Sequence, residues 1–218
     1  MAHKCLAMLE ETGTEVEMIT DFERAEAITR EIGKPGLQPK MALDYNDFTE
    51  ESAFWMFMKE EGHYTACLGA RFEDTGRESM QSYLKRTFAR HYPNQSGQAL
   101  KGVSSALPSG FYGPMVYSGE LFINSQNRGS RKKLRAFALL CQVTIFTKWE
   151  VEWHYAFMRE RDVHRGLASV YGFTHQVPGI FQWEDPAPLG RGDQEWLVAV
   201  PSGIWTICSI TTRTQSNA

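Results

Sequence analysis

The sequence has no large excess of either charge: 23 Lys and Arg stand against 26 Asp and Glu, a formal net charge of −3 over 218 residues. There is then no overall basic field for gripping nucleic acid, and an anionic ligand must be held by a local cluster. Cysteine is scarce. Cys5, Cys67, Cys141 and Cys208 lie far apart in or beside apolar runs and form no C-x-x-C pair, which reads as reduced, buried thiols rather than a disulfide framework. A cytoplasmic protein is expected on that ground. Long hydrophobic runs are missing too. The most apolar stretch, 134–146, is too short to span a bilayer and carries Arg135 and Gln142, so no membrane partner is expected. Residues 1–13 hold no apolar segment of signal-peptide length. His154, His164 and His175 match no compact ligand spacing, so no metal is expected. What remains is an ordinary globular composition, 42% hydrophobic and 12% aromatic, in a chain of single-domain length.

Hydrophobic periodicity organises the chain. Residues 15–20 (EVEMIT) alternate as a first strand, and Asp21 then stands at a helix N-cap. A helix over 22–32 keeps Phe22, Ala25, Ile28 and Ile32 on one face and stops at Gly33 and Pro35. The β-prone runs 52–59 and 63–73 flank Glu60-Glu61-Gly62 and predict an antiparallel hairpin. Helical spacing returns over 76–90, and 94–113, rich in Gly, Ser and Pro, reads as a long surface loop. Strand 115–124 carries Gly119, a sign of a bulge or a close backbone approach. An apolar helix over 131–149, a strand over 151–158 and a helix from an Asp162 cap to Gly172 follow. Strands at 173–177 and 195–200 flank a Pro/Gly-rich loop at 178–193. This order predicts an α/β (α+β) domain, a central mixed, mostly antiparallel sheet flanked by helices, over 15–210. An N-terminal extension, 1–14, precedes it and a flexible tail, 211–218, follows.

The sharpest chemical signal is the strand-turn-helix over 121–133, where a strand runs through a polar, glycine-containing turn straight into a helix. Such a turn leaves the first backbone N–H groups of the helix pointing outward, at the positive end of its dipole, as a phosphate site. Arg128, Arg131, Lys132, Lys133 and Arg135 supply the local positive charge that the composition as a whole lacks. Here the sequence resembles the GNAT superfamily of N-acyltransferases, whose signature at this place is Q/R-x-x-G-x-G/A. Gln126-Asn127-Arg128-Gly129-Ser130-Arg131 carries its Gln and its first Gly, with Arg131 standing where the family has Gly or Ala. The hairpin at 52–73 and the strand, helix and Gly-Phe over 151–173 resemble the family's neighbouring blocks.

The resemblance implies transfer of an acetyl or other acyl group from acetyl-CoA or another acyl-CoA to a small-molecule or peptide amine by direct attack, with a homodimer as an option. It implies that Leu121, Phe122 and Ile123 line the pantetheine and supply an oxyanion donor near Phe122 and Ile123, and that Gln126, Asn127, Arg128, Gly129, Ser130, Arg131 and Lys132 hold the pyrophosphate. Glu120 is the nearest carboxylate and the first candidate base. Many members carry a Tyr acid four residues before the Gly of the closing Gly-Phe; that position is Ala168 here, which leaves Tyr171, Tyr155, water or no acid at all. Arg131 and the missing tyrosine keep a catalytically silent CoA-binding module as an alternative. The many aromatics and methionines keep another, an enzyme taking longer acyl chains from CoA or acyl carrier protein.

Overall fold

The computed structural model describes residues 1–94, 96–127 and 129–203. In chain order these form α1 (Ala2–Glu10), β1 (Thr14–Ile19), α2 (Phe22–Glu31), β2 (Ala53–Glu60), β3 (His63–Asp74), α3 (Met80–His91), β4 (Leu100–Val103) and β5 (Pro114–Ile123). There follow α4 (Arg131–Lys148), β6 (Trp153–Arg159), α5 (Glu160–His164), α6 (Leu167–Val170), β7 (His175–Val177), β8 (Phe181–Trp183) and β9 (Glu195–Pro201).

The first six side chains of β2 are all buried, which a strand achieves only when both faces of its sheet are covered. Trp55 and Phe57 point into one core with Ala25 and Ile28 of α2 and Leu84 and Phe88 of α3. Phe54, Met56 and Met58 point into the other, with Leu9 of α1 and Phe137, Leu140 and Ile145 of α4. The seven-stranded sheet runs β1-β2-β3-β5-β6-β9-β7, and β4 pairs with β8 in a separate ribbon. Helix starts are fixed locally: Asp21, Ser79 and Ser130 each accept a hydrogen bond from a backbone N–H three positions on.

Within 1–14, α1 buries Cys5 and Leu9 against α4. Several sequence expectations need correction. The loops at 94–113 and 178–193 contain β4 and β8, which stabilise one another by pairing across the chain and so show little local signal. Asp162 caps nothing; α5 starts after Arg159, and Gly166 at φ 78 separates it from α6. The expected tail and Cys208 lie outside the described residues.

One irregularity shapes the molecule. β5 and β6 are parallel, and their pairing covers only Met115–Tyr117 with Trp153–Tyr155. Every other neighbouring pair in the main sheet is antiparallel. Beyond Tyr117, β5 bulges: Cys67 faces Phe122 and Gly69 faces Gly119, so Glu120 and Leu121 together oppose Leu68. The bulge residue is Glu120, at φ 63, rather than Gly119. Gly119 has another reason, since a Cβ there would run into the Tyr117 ring and hydroxyl.

Candidate functional site

Where β5 and β6 part, a cavity of about 750 Å³ opens between them and passes from one face of the sheet to the other. Among the described residues, no strand lies beside the edge of β5 facing β6 from Ser118 onward. Leu121, Phe122 and Ile123 line the cavity.

On the α4 face the cavity meets the polar turn. Residues 125–127 make a single 3-10 turn, Ser130 caps α4 by accepting from the Lys133 N–H at 3.1 Å, and Gly129 between them sits at φ 129. That φ lies in a region L side chains avoid, and a Cβ at Gly129 would meet no atom within 4 Å, so the glycine serves backbone shape and open space in front of the helix. Asn127, Gly129, Ser130, Arg131 and Lys133 line this end, and Arg161 and Arg165 face them from α5 and the turn after it. Arg131 donates to the Arg165 carbonyl at 3.0 Å and spans the mouth. The turn, the helix terminus and these cations suit a polyphosphate. Gln126 and Lys132 are not on the cavity wall, and Lys132 instead reaches Glu11 of α1 at 3.1 Å. Arg128 lies outside the described residues.

At the vertex, on the same face, His154 Nε2 and Ser118 Oγ are 2.7 Å apart and bridge the diverging strands. His154 is buried, its Nδ1 has no hydrogen-bond partner among the described residues, and burial pushes the imidazole down to about 3, so it is neutral at ordinary pH. Tyr171 ends α6 on this wall, its carbonyl accepting from Gln142 at 2.8 Å. Burial pushes its phenol up to about 12.

The opposite face is built from residues that only the fold brings together. Glu120, its side chain 1% exposed, pairs through Oε2 with Lys34 at 2.7 Å and accepts through Oε1 from the Gln38 N–H at 2.9 Å. The Gln38 side-chain oxygen accepts from Arg191 at 3.2 Å and from the Tyr92 hydroxyl at 3.1 Å. Arg191 lies beside Glu195 at 3.2 Å, inside a box of Phe88, Tyr92, Phe181 and Trp183 rings. Burial pushes the Glu195 carboxyl above the usual range, against the pull of Arg191. Glu120, Gln38, Arg191 and Glu195 thus form one polar chain across the cavity, of which the sequence signalled only Glu120.

Among the described residues no group of three or more His, Cys, Asp or Glu could hold a metal, and no helix is long and apolar enough to cross a membrane.

No protein-family model and no curated protein matches the sequence. Among solved structures the chain is similar to a mutant agmatine N-acetyltransferase in its apo form, with a TM-score of 0.54 at 11% identity, covering 86% of this chain and 99% of that one. It is also similar to the polyamine N-acetyltransferase of Drosophila melanogaster, an enzyme that catalyses the formation of N-acetylagmatine. There the TM-score is 0.50 at 9% identity, over 86% of this chain and 99% of that one. At such identities the likeness is one of fold.

Proposed function

We propose that this chain, which has the GNAT acyltransferase fold, transfers an acyl group from acyl-CoA to a primary amine by direct attack. The observation that carries the reading is the β5–β6 pairing that stops at Tyr117 and Tyr155 and opens a slot leading to the glycine turn at the start of α4. Both halves of an acyl-CoA find a counterpart: the cationic turn suits the pyrophosphate, and the edge of β5 along the slot, which no described strand covers, suits the amide-rich pantetheine.

The acceptor then enters from the α2/α3 face, where Glu120 stands at the bulge. In the proposed reaction Glu120 takes a proton from the ammonium, directly or through water, and the freed amine forms a C–N bond to the thioester carbonyl. A main-chain N–H of β5 near Phe122 holds the oxyanion. Collapse breaks the C–S bond, and the thiolate leaves toward the α4 face, where Tyr171 offers a hydrogen bond. A phenol pushed up to about 12 is a donor to sulfur rather than a strong acid, so the second proton, shed by the nitrogen as the amide forms, reaches the thiolate through water. Lys34 Nζ, 2.7 Å from Glu120 Oε2, holds the carboxylate at the bulge.

The test is a thermal-shift series with CoA, acetyl-CoA and longer acyl-CoAs, followed by a thiol-release assay with amines. Stabilisation by acyl-CoA and thiol release dependent on amine are expected. Stabilisation with no release by any amine would leave binding without catalysis and refute the enzymatic reading.

A further inference from the structure

The charges on the acceptor side are counted out in pairs. Glu120 faces Lys34 and Glu195 faces Arg191, at 2.7 and 3.2 Å. Arg159, at the end of β6 and directly across from Glu195 in the β6–β9 register, also lines the cavity. It is exposed, and among the described residues it has no carboxylate partner at ion-pair distance. Three cations therefore stand against two carboxylates, both already engaged. The next carboxylate on the wall, Asp162 of α5, sits beside Arg161 at 3.8 Å.

A polyamine-like acceptor brings a second ammonium that would be desolvated here with no free carboxylate to meet it, next to the cations Arg159 and Arg191. A zwitterion brings no net charge. Its carboxylate answers the surplus cation, and its amine comes to Glu120. Spacing agrees: one residue, Gln38, reaches Arg191 with its side-chain oxygen and Glu120 with its backbone N–H, so anchor and base are as close as the two ends of a small molecule require. Arg191 is also held still, by Gln38, Glu195 and four aromatic rings, which limits the entropy lost when a carboxylate binds.

We infer that the acceptor amine also carries a carboxylate, as a free α-amino acid does, held by Arg159 together with Arg191. This deepens the acyltransferase reading and rests on it. The experiment compares arginine, leucine and phenylalanine, each as the free acid, the α-amide and the decarboxylated amine, with thiol release as the readout and acetyl-CoA and a long-chain acyl-CoA as donors. The amide mimics a peptide N-terminus. For the best side chain the free acid should exceed its amide and its amine in kcat/KM by about tenfold or more, the worth of one charge-assisted hydrogen bond. Arg159→Gln, an exposed change, should erase that preference and leave the acyl-CoA thermal shift unaltered; Arg191→Gln should do the same in whatever fraction folds. An amide or decarboxylated amine that matches the acid overturns the inference. So does the absence of turnover with every acid in protein that acyl-CoA stabilises. Absence of any acyl-CoA shift refutes instead the reading beneath it.

Discussion

Glu120 sits on the one non-glycine backbone position of β5 with a left-handed φ, 63°, and strain at such positions, about 1–3 kcal/mol, persists where surrounding contacts fix it. Three contacts fix it here: Lys34 and Gln38 at the carboxylate, and the Cys67 thiol donating to its carbonyl at 3.4 Å. The bulge delivers a carboxylate to the slot, beside the stretch of β5 proposed to face the acyl carbon. Glu120→Gln keeps size and the Gln38 contact but removes the base. Its kcat should fall roughly 100-fold, within the range usual for general-base loss, with the acyl-CoA shift retained and no recovery up to alkaline pH. A full rate across that range would assign proton removal elsewhere, with Glu195 the next carboxylate on the wall.

Elements, more than residues, decide where the slot proposed for the acyl group lies. The short β5–β6 pairing depends on the Ser118–Gly119–Glu120 segment, and Gly119 fits because the Tyr117 ring occupies the space of its absent side chain. That ring cannot yield cheaply, since it packs on Tyr155 and Phe157 at centroid distances of 5.4 and 5.6 Å and under the Lys40 ammonium at 4.9 Å. Gly119→Ala should therefore destabilise the fold by roughly 1–3 kcal/mol through overpacking, read as a lowered urea midpoint; an unchanged midpoint would show that Tyr117 is freer than its contacts imply. This scale also explains what the sequence revealed. The strand, turn and helix over 121–133 are contiguous, so caps, glycine and charge exposed them together, and the hairpin over 53–74 announced itself through Gly62. Gln38 and Arg191 meet across 153 positions, each in a loop with no periodicity to mark it. Lys34 fell unremarked between the helix-stopping Gly33 and Pro35, and Glu195 looked like the first residue of a strand; only the folded sheet turns them into one cavity wall.

At the scale of the whole molecule, buried titratable groups set how stability depends on pH. His91 and His154 are buried, and burial pushes them down to about 4 and about 3 from an ordinary 6.5. Below pH 6.5 the unfolded chain binds a proton at each, while the folded chain does not until those lower values. Stability should thus be full above pH 6.5 and fall as pH drops toward 4, with a limiting slope of about 1.4 kcal/mol per pH unit for each histidine. Urea midpoints between pH 7.5 and 5.5, where ordinary carboxylates contribute little, should show the decline, and His154→Gln, which can still meet Ser118, should reduce it. A flat profile would contradict the burial of both rings. The central claim, that the slot and the turn at α4 form an acyl-CoA site, is tested most directly by calorimetric titration of CoA into the protein and into Gly129→Val. A β-branched side chain cannot readily hold φ 129, so the turn must reshape and withdraw its N–H groups from the pyrophosphate, while the surface position leaves the melting temperature nearly unmoved. The account predicts saturable CoA binding by the native protein and none detectable in the folded variant; equal affinity in both would contradict it.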